Sequence, residues 1–462
     1  MKIYKYVNHI TKTGKGSLTL QINNYHVRGG EISIKGFKHS LVQIICISIA
    51  YNIKIKIRNV PNVIDVHVFC KIIKKLGGKA QFLNSTLIID PRKIYCSEIP
   101  VDLSSLIHGS LYLMPALLIR CGRFNFKASG GCQIGENGGR PTNHILRMMQ
   151  RYGAKIIEGD EIFGELNVVS EIRKIDILEF STSRSRLEGP LVGGATKVAI
   201  MFSLKQNYVE IVNPYLKSDV LDVLRFIKIL NKDVIIKGDK LIIKNKIITT
   251  EKYVNFELMP CVSELMTYIA FSVTNQVPIC IQMSNTMNLK NGLMYELELL
   301  KRMNVGINLK KNKMNVMPHP SINSQIISVL PETIQSDHHP FFALMLMMAN
   351  KDSRIIEEVW KSRFGYVENL QTLGINMASN LNEVVIKPYK ECGHLKNNIN
   401  LDAKDVRTAA VTILGGIATH SSVSINHIEH LFRGYDSILK NLKKLGIKFN
   451  LKENKNESPF NS

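Results

Sequence analysis

Acidic side chains, aromatic side chains and paired cysteines are all scarce in this 462-residue chain. Only 38 Asp and Glu oppose 60 Lys and Arg, aromatics make up 7%, and Trp360 is the single tryptophan. The eight cysteines (46, 70, 96, 121, 132, 261, 280 and 392) form no CxxC pair and no tight framework. That argues against a thiolate zinc ribbon and a disulfide-stapled secreted scaffold, and favours a reducing cytoplasm. Long hydrophobic runs are missing too. FFALMLMMA and LYLMPALLI fall well short of the ~20 residues a membrane span needs, so both read as buried helices. The N-terminal MKIYKYVNHITKTGKG lacks the apolar core of a signal peptide. A net charge of +22 suggests nucleic acid, but the lysines are scattered through the chain and no basic tract is interleaved with aromatics. Neither nucleic acid nor a membrane is therefore the expected partner; a positive field serves anionic small substrates equally well.

What the chain does contain is recurrence. Six Leu/Ile/Met-rich helical runs each stop at a Gly or Asn and pass into an alternating strand. The stops are Gly77, Gly153, Asn231, Asn304, Gly374 and Gly446, spaced 70 to 78 residues apart. Gly and Asn tolerate the left-handed conformation that ends a helix. Lys74, Lys75, Arg151, Arg302, Lys443 and Lys444 crowd the last turns, where cations complement the negative end of the helix dipole. Regular recurrence at this period marks a repeated supersecondary unit, here an α/β one. Repeats one to three run to about Ile248 and repeats four to six from about Thr249 to Leu451, with the polar KNKIITTEKY as linker. Two groups of three units make two lobes, and the cleft between them is the expected ligand site. Residues 1–24 carry no clear periodicity and read as an extra strand or a mobile arm; the polar tail KENKNESPFNS reads as disordered.

Three segments carry chemistry. SGGCQIGENGGRP, residues 129–141, has five glycines and sets Cys132 on an exposed loop near Arg140. A thiol there suits acid–base or nucleophilic work better than core packing. Arg363 in KSRFGYVENL, Arg407 in KDVRTAAV and Arg433 in LFRGYDSI each read as opening a helical run. Singly each fits a surface ion pair; with Lys38 in KGFKHSL they suit a ligand with several negative charges. Asp337 in IQSDHHPFFALMLMM is either a helix N-cap or a general base. The adjacent His338 and His339 would not face one another on a helix, so no metal is expected.

These segments together resemble the enolpyruvyl transferases, and within them the UDP-N-acetylglucosamine 1-carboxyvinyltransferase branch of cell-wall (peptidoglycan) synthesis. VRGGEISIKGFKHSL, SGGCQIG followed by RP, IQSDHHPFF, SRFGYV, DVRTAA and FRGY follow that family's order across about residues 27–452. The resemblance implies a two-lobed inside-out α/β barrel of six βαβαββ units. One lobe would be 38–248; the other would be discontinuous, 1–37 plus 249–462. It implies enolpyruvyl transfer from phosphoenolpyruvate to a hydroxyl, without a cofactor or metal. Cys132 would donate the proton and Asp337 take one. Lys38, Arg140, Arg363, Arg407 and Arg433 would hold phosphoenolpyruvate, with Asp405 supporting Arg407. The acceptor would be a uridine nucleotide or nucleotide sugar, UDP-N-acetylglucosamine by default, met by His39, His108, Gly194 and Thr196. A cytoplasmic monomer is expected.

The chain also departs from the family. Arg140 lies eight residues after Cys132 rather than five. His39 replaces an Asn, His108 an Arg, and Cys261-Val262 an Asp-Arg pair. Most of these changes fall on the acceptor side, which keeps open a specialised relative acting on UMP or another nucleoside acceptor in antibiotic-type metabolism. A catalytically inactive binding paralogue also remains open. Shikimate 3-phosphate transfer is disfavoured because enzymes of that branch lack the Cys loop.

Overall fold

The structure is a computed structural model. It describes residues 3–13, 16–23, 25–130, 142–166, 172–180, 191–230, 232–244, 253–284, 286, 289–360, 363–389 and 398–454. Six sheets result, five of four strands and one of three. Each four-stranded sheet has one parallel pair, and in four of the five the other two strands form an antiparallel hairpin, as in Ile326–Val329 parallel to Ser353–Glu357, which pairs antiparallel with Glu383–Ile386 and through it Met377–Ser379.

The repeat stops have the backbone that the sequence pattern demands. Gly77, Gly153, Gly374 and Gly446 have φ of 100°, 98°, 90° and 92°, and Asn304 has 68°. At each, the next N–H turns back onto the helix, as in Gly78 N to Ile73 O (2.9 Å) and Val305 N to Leu300 O (2.9 Å). This closes orphan carbonyls at the helix end before the strand begins. Asn231 lies outside the described residues.

The helices fall into two kinds. Six are apolar nearly all round, which suits complete enclosure rather than a surface position. Lys38–Tyr51, Leu113–Cys121 and Leu191–Ser203 pack on one another. Val262–Asn275, His339–Leu346 and Val406–Ala418 form a second such triad. Amphipathic helices such as Ile64–Lys75 and Ser218–Ile229, with basic last turns, precede the hairpins. Buried helices inside and sheets outside make the two-lobed inside-out α/β barrel.

Two segments cross between the groups. Strand Gly30–Ser33 pairs parallel with Ile279–Gln282, while Val254–Glu257 pairs parallel with Ile55–Arg58. Between the crossing segments Phe37 N donates to Met259 O (2.9 Å) and Cys261 N to Lys35 O (2.8 Å). Residues 254–257, which a division at 248/249 puts with the later repeats, thus hydrogen-bond in a sheet of the earlier ones.

The N-terminal stretch does supply an extra strand rather than an arm, and a helix precedes it. Ile3–Thr13 is a helix that buries Tyr6, Val7 and Ile10 and packs against Ile64–Lys75. Ser17–Ile22 then lies between Val423–Asn426 and Phe449–Asn454, antiparallel to both. It supplies the fourth strand of the sixth sheet, a place filled in other units by the second arm of the hairpin. The alternation SLTLQI is that of a strand, but nothing within residues 1–24 signals its partners, which lie some 400 residues away. Among the described residues no helix is long and apolar enough to cross a membrane.

Candidate active site

Five of the six central helices begin at one cleft, a cavity of about 230 Å³ lined by Lys38 and His39, His108, Gly193 and Gly194, Asp337, and Asp405 to Arg407. Ser263, in the first turn of the sixth, touches Arg407. Helix N-termini present unpaired N–H groups and the positive end of the dipole, so their convergence favours an anion.

Two ion-pair clusters floor the cleft. In the first, Asp337 is gripped on both oxygens: Arg363 binds Oδ1, and Arg407 Nη2 lies 3.0 Å from Oδ2. Arg407 is fixed from behind, donating to Ser263 Oγ (2.8 Å) and Tyr435 OH (3.4 Å). Its helix is capped by Asp405, whose Oδ1 accepts from Arg407 N (2.7 Å) and Thr408 N (3.1 Å). Partial burial alone would raise the Asp337 pKa, but Arg407 and Arg363 outweigh it and hold the carboxyl well below its usual range. In the second cluster, Lys38 Nζ is 3.0 Å from Asp65 Oδ1 and donates to Arg433 O. Arg433 Nε stands 3.9 Å from Asp65 Oδ2, an ion pair beyond hydrogen-bond distance.

The opposite wall is built differently. Lys197, from the helix carrying Gly194, pairs with Asp219 and lies 5.7 Å from the Tyr112 ring centre. Burial would lower the Lys197 pKa, but Asp219 outweighs it and keeps the ammonium charged. The same wall holds two imidazoles in their neutral form. Burial, then Lys38, lowers His39 to about 3; burial, then Lys197, lowers His144 to about 4. Gly194 lies against His144: a Cβ there would stand 2.0 Å from Nε2. Tyr215 and Trp360 also line the cleft.

Of the residues singled out in the sequence, Lys38, His39, His108, Gly194, Asp337, Arg363, Asp405, Arg407 and Arg433 line this one cavity. Cys132 and Arg140 lie outside the described residues. Thr196 is buried below the wall, and its Oγ1 accepts from Tyr215 N (3.0 Å), so it positions that segment rather than facing the cleft. Asp337 is not an N-cap; His338 has that position, without a side-chain cap bond. Arg433 does not open a helix but closes the 3₁₀ turn Ile428–Arg433, and Arg363 precedes the short helix Val367–Thr372. Only Arg407 sits in a first helical turn, because only DVRTAA carries an N-cap acid at the right place. His338 and His339 diverge into the core, to Glu296 (2.9 Å) and Glu357 (3.4 Å). Among the described residues no group of three or more His, Cys, Asp or Glu is placed for a metal. Asp65, His144, Lys197 and Asp219 were not picked out in the sequence. Asp65 reads there as an ordinary first-turn helix acid.

The sequence matches the family profile described as EPSP synthase (3-phosphoshikimate 1-carboxyvinyltransferase) over residues 26–442. The chain belongs to this family of enolpyruvyl transferases. Curated relatives named UDP-N-acetylglucosamine 1-carboxyvinyltransferase include one from Wolbachia sp. subsp. Brugia malayi (strain TRS), 25% identical, covering 92% of this chain and 97% of the relative. Another, from Buchnera aphidicola subsp. Schizaphis graminum (strain Sg), is 26% identical, with 92% and 99% covered. Among solved structures, the enolpyruvyl transferase NikO from Streptomyces tendae is 25% identical with a TM-score of 0.85, covering 95% of this chain and all of that one. EPSP synthase from Acinetobacter baumannii has a TM-score of 0.65 at 12% identity, which bears on the fold alone. As a transferase of this family, the enzyme moves an enolpyruvyl group. The N-terminal helix Ile3–Thr13 lies ahead of the matched span.

Proposed function

We propose that the enzyme transfers the enolpyruvyl group of phosphoenolpyruvate to a hydroxyl of a uridine nucleotide or nucleotide sugar, UDP-N-acetylglucosamine first among them, and releases phosphate. The observation that carries this reading is the pair of cationic clusters, Arg363 with Arg407 and Lys38 with Arg433, at converging helix N-termini. Phosphoenolpyruvate has two anionic groups, a carboxylate and a phosphate, and guanidinium forks suit both. Cys132 protonates the methylene carbon, the acceptor oxygen bonds to the neighbouring carbon, and Asp337 takes the hydroxyl proton. The adduct then loses a proton from the new methyl group and expels phosphate. Arg140 adds charge from the same loop as Cys132. Preorganised cations stabilise the charge that develops on the carboxylate and the departing phosphate. In the lobe assignment that goes with this reading, 38–248 carries the Cys132 loop and 1–37 with 249–462 carries Asp337 and the arginines.

A second acceptor, UMP or another nucleoside, is favoured by the wall opposite the arginines. It presents His39 and His108 where the resembling branch has Asn and Arg, while Cys261, where that branch has Asp, is buried beside Arg407 and does not line the cleft. Burial raises the Cys261 thiol to about 12, so it offers no charge. The likeness to NikO at 25% identity is compatible with such a specialised relative.

The test is incubation with phosphoenolpyruvate and UDP-N-acetylglucosamine, UMP, UDP, uridine or shikimate 3-phosphate, following phosphate release and product mass. A gain of one enolpyruvyl group on UDP-N-acetylglucosamine makes this a cell-wall enzyme. A gain on UMP or uridine makes it a specialised one. Gain only on shikimate 3-phosphate overturns the uridine reading.

A further inference from the structure

We infer that Asp65 and Asp337 act as built-in counter-anions, each occupying the cations of one anion subsite until substrate displaces it. The inference rests on the reading above for the identity of the substrate, but its geometry stands independently. Each of the two clusters contains two cations and one carboxylate, and each carboxylate is aimed into the same cleft-lining set. Asp337 binds Arg363 through one oxygen and Arg407 through the other. Asp65 binds Lys38 at 3.0 Å and faces Arg433 at 3.9 Å. The fit is incomplete in an informative way. Arg407 Nε, a donor, is buried without a hydrogen-bond partner. A bidentate anion would supply what a single carboxylate leaves unmade.

Isolated buried cations so close together would repel and would be costly to desolvate. An internal carboxylate removes that cost and keeps the empty site folded around its future ligand. It also has a chemical consequence at Asp337. A carboxylate gripped by two guanidiniums is a poor base. When the substrate anion takes over Arg363 and Arg407, Asp337 becomes able to accept the hydroxyl proton. Asp337 is thereby released as a base only when the donor substrate is present. Asp65 is a positioning residue: it holds Lys38 and Arg433 and touches no reacting atom.

The two roles predict a dissociation of binding from turnover. Asp337→Asn should abolish transfer yet bind inorganic phosphate and phosphoenolpyruvate at least tenfold more tightly than the wild type, by calorimetric titration. Asp65→Asn should tighten inorganic phosphate binding similarly and lower turnover by misplacing Lys38. Asp219→Asn, which removes a carboxylate paired with Lys197 across the cleft, is the control for charge alone and should shift phosphate affinity less than threefold. Equal tightening by all three substitutions would mean a general field effect and overturn the inference. Unchanged or weaker phosphate binding by Asp337→Asn would also overturn it, with Asp337→Ser as a second variant if the first does not fold. If inorganic phosphate follows this pattern and phosphoenolpyruvate does not bind, the inference stands and the donor assignment falls.

Discussion

Replacing Asp405 by alanine tests whether helix capping and substrate binding are one device. The Asp405 carboxylate accepts from two backbone N–H groups, of Arg407 (2.7 Å) and Thr408 (3.1 Å), and from Thr408 Oγ1 (2.6 Å). Loss of an N-cap costs about 1 kcal/mol, and a negative charge at a helix N-terminus contributes roughly 0.5 kcal/mol more. A chain this size unfolding as one unit loses on the order of 1 kcal/mol per kelvin, so the melting temperature should fall by about 2 °C. The functional effect should be larger. Arg407 is the second residue of the capped helix, and a frayed first turn swings its guanidinium. Ser263 and Tyr435 still hold it from behind, so the loss is partial: roughly a tenfold higher KM for phosphoenolpyruvate, equivalent to ~1.4 kcal/mol, with the acceptor KM unchanged. Asp405→Asn is the discriminating control, because Asn caps almost as well as Asp. Thermal melts and steady-state kinetics on both variants settle the matter. If Asn is as damaging as Ala, Asp405 acts through its charge on the cations that bind substrate and the capping account fails.

Four further outcomes are expected. Gly194→Ala forces a methyl group against His144 Nε2 and should weaken acceptor binding at least tenfold while leaving phosphoenolpyruvate binding unchanged in separate titrations. Cys132→Ala should abolish phosphate release, and retained turnover would remove the thiol from the mechanism. Leu20→Ala, at a fully buried position in the N-terminal strand, should cost about 3 kcal/mol in denaturant unfolding; a cost near zero would mean that this strand is not part of the sixth sheet. Glu264, raised to about 8 by burial, is protonated when folded and ionises near 4.5 when unfolded. The folded state thus holds the extra proton, and this contribution is lost as pH rises from about 4.5 through 8. Glu264→Gln should therefore melt later than the wild type at pH 8.5, with the gain shrinking toward pH 5; a pH-independent difference would show that Glu264 is ionised in the folded protein.

The parts of this fold that were legible in the sequence are those written locally. A helix stop needs one Gly or Asn and the Lys or Arg before it, and Gly77 or Asn304 can be read without knowing what they pack against. The DVRTAA cap is similarly local: acid, then N–H groups two and three residues on. Closure of the sixth sheet is not local. Ser17–Ile22 takes its place only because residues 423–426 and 449–454 leave a gap of one strand, and nothing within the first 24 residues records that gap. The same limit explains Asp65, Lys197 and Asp219. In sequence they are unremarkable charges on helices; their meaning comes from a partner on another element, Lys38 for Asp65 and Asp219 for Lys197.

That contrast also bears on the excess of positive charge. An excess of 22 cations over anions does not by itself say where the chain places its carboxylates. Asp65, Asp219 and Asp337 all stand in its most cationic cleft, each on a lysine or arginine. Excess surface lysine is screened over about 8 Å at physiological salt and contributes little to any one site. The cleft cations are partly buried, where screening is weaker and mutual repulsion larger. Their carboxylate partners are what allow several to converge while the site is empty. If the scattered lysines instead drove substrate capture, phosphoenolpyruvate affinity would fall steeply with salt and be indifferent to Asp337→Asn. On the structure's geometry the dependence runs the other way: shallow in salt, and strong in the identity of residues 65 and 337.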